Sequence, residues 1–202
     1  VKKISGYILL MTNDHVSEIL DSKSNEIIDL RRQFHATPEL GFKESKTGGI
    51  ISEYLSNLGL TVETGIGKTG VVGVLNAGPG PTLMIRADID GLPIQETTEL
   101  AFASTNGQMH ACGHDGHITM ALVAADILTQ LADQIRGKIV FVFQPAEEIV
   151  SGAKQMIDDG LFTRWPADRI IGTHLWNQLP IGKIGVNPGT VFASADQFQI
   201  TV

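Results

Sequence analysis

The sequence of 202 residues predicts an α/β fold, a three-layer sandwich in which a mixed central sheet carries helices on both faces. Short runs rich in β-branched residues alternate along the chain with segments of helical periodicity. One continuous apolar run, at residues 138–144, is typical of a buried central strand. The composition, 43% hydrophobic and 18% charged, supplies enough apolar side chains for one large core.

The first 24 residues are expected to form an N-terminal extension and a leading helix, followed by one domain at residues 25–202. Lys2 and Lys3 precede a short apolar stretch, but the small-residue cleavage site of a secretory signal is missing. Met11 is therefore interpreted as the natural start. No segment approaches the length of a membrane-spanning helix.

Two amphipathic helices are expected to open the domain. The first spans residues 25–35 and ends before Pro38, and the second spans residues 45–58 and ends at Gly59. Three short β-rich runs separated by turn residues follow, at 61–63, 71–77 and 82–86.

Residues 65–70 match a G-x-G-x-x-G pattern, which is found in nucleotide-binding loops. A dinucleotide site would require this loop to open a helix, and a phosphate loop would require glycine where Val62 stands. The segment is therefore interpreted as a turn between two strands.

The second half of the chain continues the alternation. A helix is expected from Gly116 to about residue 131, a strand at 138–144 and a short helix at 152–159. The remaining predicted strands are at residues 169–173, 183–186 and 197–202.

Residues 109–117 contain the only cysteine of the chain, three of its six histidines and an aspartate. Proteins hold transition metals with such clusters of soft and borderline ligands. Cys112 and His114 are two residues apart, so in an extended segment both side chains would reach one ion. Gly113 and Gly116 are expected to let the backbone bend around that ion.

Further acids and a histidine follow three predicted strands, where open α/β sheets bind their ligands. These residues are Asp88 and Asp90, Glu147 and Glu148, and His174. Neighbours in an extended chain point in different directions, so one of the paired glutamates could coordinate a metal while the other acts as a general base.

Each of these residues also has an ordinary structural interpretation. The aspartates are typical of turns or helix caps, a Glu-Glu pair of a solvated turn, and His174 of a hydrogen-bonded core histidine. His15 and His35 lie in polar helical surroundings and receive no role, whereas Trp176 is close enough to His174 in sequence to line a pocket.

Charge and cysteine content exclude several classes of protein. The net charge of −7 argues against nucleic-acid binding, which needs a basic surface. A single cysteine permits no internal disulfide, which favours a cytoplasmic location, and it cannot hold an iron–sulfur cluster.

The order and spacing of five motifs resemble the metal-dependent amidohydrolases that include aminoacylases, hippurate hydrolases and indole-3-acetyl-amino acid hydrolases, relatives of zinc carboxypeptidases and aminopeptidases. The motifs lie at residues 31–35 with 38–42, 86–96, 109–117, 143–148 and 172–175. The similarity runs from residue 26 to residue 202.

The resemblance implies a phosphorylase/hydrolase-like sandwich that binds two divalent ions, zinc, manganese, nickel or cobalt. The implied ligands are Cys112, His114, Glu148 and His174. Glu147 would be the general base, and Asp90 would orient a metal ligand. Metal-activated water would split a small-molecule N-acyl-amino acid into a carboxylic acid and an amino acid.

The family also has an inserted lid or dimerisation domain and a C-terminal return with a further histidine ligand, and neither is found in this sequence. Residues 25–202 would therefore be the first half of the catalytic domain of an enzyme that is a homo-oligomer when full length. The alternatives are a di- or carboxypeptidase of the same family and a non-catalytic, truncated metal-binding fragment.

Overall fold

A computed structural model describes residues 13–191 and 198–201 of the chain. The helices are α1 (Asn13–Ser22), α2 (Ser24–His35), α3 (Ser45–Asn57), α4 (His114–Gln130), α5 (Gly152–Asp158) and α6 (Leu161–Arg164), with a 3₁₀ turn at Ala132–Gln134. The strands are β1 (Thr61–Ile66), β2 (Gly70–Asn76), β3 (Thr82–Asp88), β4 (Lys138–Gln144) and β5 (Arg169–Gly172).

The five strands form one mixed sheet in the order β1-β2-β4-β3-β5. Strand β2 is antiparallel to β1 and β4, whereas β3 is parallel to both β4 and β5. The segment at residues 65–70 closes the β1–β2 hairpin, so the predicted turn between strands is confirmed.

Helices cover both faces of the sheet, which confirms the predicted three-layer sandwich. Strand β4 shows the alternation, because Phe141 and Phe143 pack in one core cluster while Val140 and Val142 pack in the other. The first cluster includes residues of α2, α3 and α4, and the second includes Met156 of α5 and a residue of α6.

The chain leaves neighbouring strands toward opposite faces. From β3 it reaches β4 through α4, and from β4 it reaches β5 through α5 and α6. Connections that diverge in this way open a crevice at the carboxyl ends of parallel strands, which is where α/β sheets bind ligands.

Two predicted strands are wrong in the described residues. Residues 183–186 have no regular structure, and Ile184 and Val186 are highly exposed. Residues 198–201 are also not a strand, while Gln197 and Val202 lie outside the described residues, as do Lys2, Lys3 and Met11. An apolar alternation becomes a strand only beside a partner, and neither segment pairs with the described sheet.

The leading helix is present as α1, and the predicted helices and the first three strands are found with ends shifted by a few residues. Among residues 13–191 and 198–201, no helix is both long enough and apolar enough to cross a membrane.

Candidate metal centre

The carboxyl ends of β3, β4 and β5 meet at one edge of the sheet because these three strands are parallel. Asp90, Glu147, Glu148 and His174 follow these ends, as predicted from the sequence. The first turn of α4 adds His114, whose side chain is buried at the centre of the group.

His114 faces both glutamates through one ring nitrogen. Its Nδ1–H donates to the backbone carbonyl of Asp90 at 2.9 Å, so in the neutral ring the Nε2 lone pair is free. That Nε2 lies 3.7 Å from Glu148 Oε1 and 3.8 Å from Glu147 Oε2. Neither His114 Nε2 nor Glu148 Oε1 has a hydrogen-bond partner among the described residues, although both atoms are buried.

Cys112 and His174 complete the group from the other side. The two side chains approach within 3.5 Å, between Sγ and Nε2, and the donor atoms of Cys112, His114 and His174 lie within 4.8 Å of one another. His174 donates its Nδ1–H to the carbonyl of Leu175 at 2.6 Å, so in the neutral ring its Nε2 is the acceptor nitrogen. The Trp176 ring lies 6.1 Å from the His174 ring, between centroids.

Cys112 and His114, which we expected to lie in an extended segment, lie in a turn and at the start of a helix. Cys112 is in a turn, and His114 begins α4 after Gly113, whose φ of 91° is readily adopted only by glycine. This turn, rather than an extended backbone, brings the two side chains together. Gly116 is helical, and its missing Cβ leaves room for Leu175, since a Cβ there would lie 2.6 Å from Leu175 Cδ1.

Two carboxylates hold the turn that carries Glu147 and Glu148. Glu44, fully buried before α3, accepts the N–H of Ala146 at 2.8 Å, and Asp90 accepts the N–H of Glu148 at 3.0 Å. Ala146 has a φ of 50°, unusual for a residue with a Cβ. The glutamate pair is therefore directed by a left-handed residue and two buried acceptors.

The donor set suits a bound cation. Burial, with the negative charges of Glu148 and Glu147, raises the pKa of the Cys112 thiol to about 12. Burial and the charge of Glu147 also raise the pKa of Glu148, against the opposing effect of His114. Burial favours neutral His114, but its hydrogen bond to Asp90 and nearby carboxylates raise its pKa. A divalent ion would supply the missing positive charge.

The spacing of the donors agrees with this electrostatic argument. Ligand atoms about 2 Å from a tetrahedral zinc lie roughly 3.5 Å from each other. The separations of 3.5 Å and 3.7 Å measured between Cys112 and His174 and between His114 and Glu148 are in that range.

Asp88 lies beside the cluster in a hydrogen-bonded chain. Its carboxylate accepts from His117 Nδ1–H at 2.6 Å and from Arg86 Nη1 at 2.7 Å, and it lies 3.6 Å from His114 Nε2. Burial opposes ionisation of Asp88, but the hydrogen bond from His117 and the charges of His114 and Arg86 lower its pKa to about 2. Asp88 is therefore not merely a turn residue.

His35, for which we predicted no role, belongs to a buried network behind the centre. Its Nδ1–H donates to Asp115 at 2.7 Å, and its Nε2–H donates to Glu96 at 3.0 Å. Arg31 also donates to Asp115. All of these residues lie within the motifs of the resemblance, but helical periodicity carries no information on which buried polar groups pair.

Comparison with known proteins gives one family. The model of peptidase family M20/M25/M40 matches residues 84–201. The N-acyl-L-amino acid amidohydrolase of Geobacillus stearothermophilus is 44% identical over 195 residues, 95% of this chain and 52% of that protein. Thermostable carboxypeptidase 2 of Saccharolobus solfataricus is 42% identical over 181 residues, 87% and 46% of the two chains.

A solved structure with the same fold is the Bacillus subtilis YXEP protein, described as a dinuclear metal binding peptidase from the M20 family. It superposes with a TM-score of 0.78 at 39% identity and covers 83% of this chain and 47% of that one. The chain thus spans about half the length of the curated relatives that it matches.

Proposed function

This chain is a member of peptidase family M20/M25/M40, and we propose that it hydrolyses the amide bond of N-acyl-amino acids to a carboxylic acid and an amino acid. The convergence of Cys112, Glu147, Glu148 and His174 around His114 carries this proposal. The similarity to an N-acyl-L-amino acid amidohydrolase supports the choice of substrate.

Cys112, His114, Glu148 and His174 would hold two divalent ions, of zinc, manganese, nickel or cobalt. Thiolate, imidazole and carboxylate are suitable ligands for all four metals. Such ions lower the pKa of water and polarise the scissile carbonyl. The dinuclear centre of a relative with the same fold supports the number of ions.

Glu147 is the proposed general base. Its side chain is 40% exposed, whereas that of Glu148 is 19% exposed, so Glu147 is the more accessible to substrate. Its carboxylate would take a proton from the attacking water and deliver it to the leaving amine. Asp90 would orient His114 through its backbone carbonyl and hold the Glu148 backbone through its carboxylate.

Two alternatives remain. A di- or carboxypeptidase would use the same residues, and the similarity to a carboxypeptidase favours that substrate class. A non-catalytic, truncated metal-binding fragment would hold metal through the same side chains without turnover.

We further propose that residues 1–24 are an extension with a leading helix and that residues 25–202 are the first half of a catalytic domain. The partner would be a small-molecule substrate rather than nucleic acid or membrane, and the full-length protein would be a cytoplasmic homo-oligomer. The net charge of −7 supports the exclusion of nucleic acid, and the single cysteine supports the cytoplasmic location.

The test combines metal content with turnover. We expect elemental analysis of the purified chain to find bound divalent metal, and hydrolysis of N-acyl-amino acids to exceed that of dipeptides. Glu147→Gln should retain the metal and lower kcat roughly a hundredfold or more, because the proton acceptor is lost. Glu53→Gln, at an exposed position of α3, is the matched control and should leave both quantities unchanged.

Results that differ from these expectations would contradict the substrate, the general base or the metal centre that we propose. Faster cleavage of peptides would favour the peptidase alternative, and metal without turnover of any substrate would favour the non-catalytic one. Unchanged kcat in Glu147→Gln would remove Glu147 as the base. Absence of metal would contradict the proposed centre.

A further inference from the structure

His117 is a third histidine at the candidate centre; it is buried and lies on the first turn of α4. Its donor atoms, with those of Asp88 and His114, lie within 4.8 Å of one another, a spacing that would also suit a metal site. Proximity alone therefore allows His117 to be a ligand. The hydrogen bonds of its ring indicate a different role.

Both ring nitrogens of His117 are already engaged. Nδ1–H donates to Asp88 at 2.6 Å, and Nε2 accepts the backbone N–H of Leu175 at 2.8 Å. A neutral imidazole has one donor and one acceptor, so no lone pair is left for a metal. His114 and His174 differ, because each donates Nδ1–H to a backbone carbonyl and has Nε2 directed into the cluster.

The hydrogen bond from Leu175 N–H to His117 holds the residue that directly follows His174. The His117 and His174 rings lie 4.6 Å apart, between centroids, at an interplanar angle of 66°. The Leu175 side chain lies over Gly113 and Gly116, where added Cβ atoms would be 3.2 Å and 2.6 Å from its Cδ1. Backbone and side chain of Leu175 are thus both fixed against the start of α4.

The segment that carries His174 has few other constraints. Strand β5 ends at Gly172, residues 173–176 have no regular structure, and His174 is exposed.

Asp88, which accepts the hydrogen bond from His117, is itself held by Arg86, which also donates to Gln144 Oε1 at 2.8 Å. A chain of hydrogen bonds therefore runs from the ends of β3 and β4, through His117, to the backbone beside His174.

We propose that His117 is a positioning residue that sets the location of His174 through the Leu175 backbone, and that it is not a metal ligand. This inference rests on the proposed function, in which His174 binds the metal. Outer partners of metal ligands commonly contribute roughly 10- to 100-fold to metal affinity.

Two substitutions separate positioning from ligation. In His117→Gln the longer side chain can return an amide oxygen to the region of Nε2, where it can accept the Leu175 N–H. His117→Asn is too short for this and retains only a group near Nδ1. We expect His117→Asn to lower zinc affinity roughly 10- to 100-fold in competition with a chelator, and His117→Gln to restore most of it.

Equal losses in the two variants would overturn the inference, because an amide cannot replace a ligating imidazole. Unchanged affinity in His117→Asn would overturn it as well. Circular dichroism at the titration temperature, well below unfolding, verifies that each variant is folded.

A measurement without metal keeps this inference distinguishable from the proposed function. Nitrogen-15 NMR of the metal-free chain should find His117 protonated at Nδ1, and the Leu175 amide should exchange slowly in wild type and His117→Gln but rapidly in His117→Asn. Adding zinc should leave the chemical shift of His117 Nε2 unchanged, as expected of a nitrogen that does not bind the metal. A protonated Nε2, or a metal-induced shift there, would overturn the inference, whereas absence of zinc binding by any variant would contradict the proposed function instead.

Discussion

Hydrogen bonds at Nδ1 determine which nitrogen each histidine presents to the candidate centre. His114 and His174 both donate from Nδ1 to backbone carbonyls, of Asp90 and Leu175. Their Nε2 atoms therefore face the same space as the Cys112 thiol. Backbone carbonyls neither titrate nor rotate away, so this tautomer is retained whether or not the side chains around it are ionised.

Cys112→Ser is expected to weaken zinc binding more than the roughly 10- to 100-fold effect of losing an outer-shell partner, because a thiolate ligand is removed at nearly constant volume. Competition with a chelator measures the affinity, and cobalt substitution should lose its thiolate charge-transfer absorption. Identical affinity and absorption in wild type and Cys112→Ser would remove Cys112 from the proposed ligands.

Ligand types could be predicted from the sequence, but their partners could not. A cysteine and a histidine two residues apart are a local pattern, and so are two adjacent glutamates. The network of His35 depends on Glu96 and Asp115, which lie 61 and 80 residues away. No local pattern identifies such pairs, since they form only when α2 packs on α4 and beside the loop after β3.

At the scale of elements, the turn between β4 and α5 directs the glutamate pair. The N–H groups of Ser151 and Gly152 both donate to the carbonyl of Ala146, which folds the turn back on itself. A Cβ at Gly152 would lie 1.5 Å from the backbone oxygen of Pro145. That position therefore admits no side chain without movement of the backbone.

Gly152→Ala is expected to lower the free energy of unfolding by about 3 kcal/mol or more, since the clash is with backbone and cannot be relieved by a rotamer change. Gly49→Ala is the matched control, on an exposed position of α3 where a Cβ meets no atom within 4 Å. It should stabilise by about 0.5 to 1 kcal/mol through helix propensity. Urea denaturation of both variants measures the difference, and equal effects would contradict the turn geometry.

Strand β4 could be predicted from the sequence together with its ends, which a glycine and a proline mark. It occupies residues 138–144 as predicted, because the run between Gly137 and Pro145 is short and rich in β-branched and aromatic residues, which favours a strand over a helix. Residues 183–186 have the apolar alternation of a half-buried strand but are not a strand. The difference lies in pairing, which depends on the rest of the sheet and not on the segment itself.

At the scale of the whole molecule, the buried His35 network joins α2, α4 and the loop after β3. His35 donates to Asp115 and Glu96 together, so it is a cation between two carboxylates. Burial lowers its pKa, but the bonds to Glu96 and Asp115 prevail, and the net pKa is raised. Arg31 also faces Asp115, and His110 lies nearby with a pKa lowered to about 4 by burial.

The raised pKa of His35 determines how its contribution to folding stability changes with pH. Below about pH 6.5, His35 is protonated in both the folded and the unfolded state, and its contribution to stability is fully present. As the pH rises through the folded pKa, the contribution is lost. His110 acts in the opposite direction and at lower pH, because its folded pKa is below the unfolded one, so acidification from about pH 6.5 to 4 destabilises the fold through this residue.

His35→Asn is therefore expected to lower the free energy of unfolding by about 3 kcal/mol at pH 6, since two buried carboxylates lose their cation. The deficit relative to wild type should shrink as the pH is raised to 9, because wild type then loses the same cation. His15→Asn, at an exposed position of α1, is the matched control and should follow the wild-type pH dependence. A deficit in His35→Asn that stays constant from pH 6 to 9 would mean that His35 stabilises by packing alone, and that the link between α2 and α4 is not ionic.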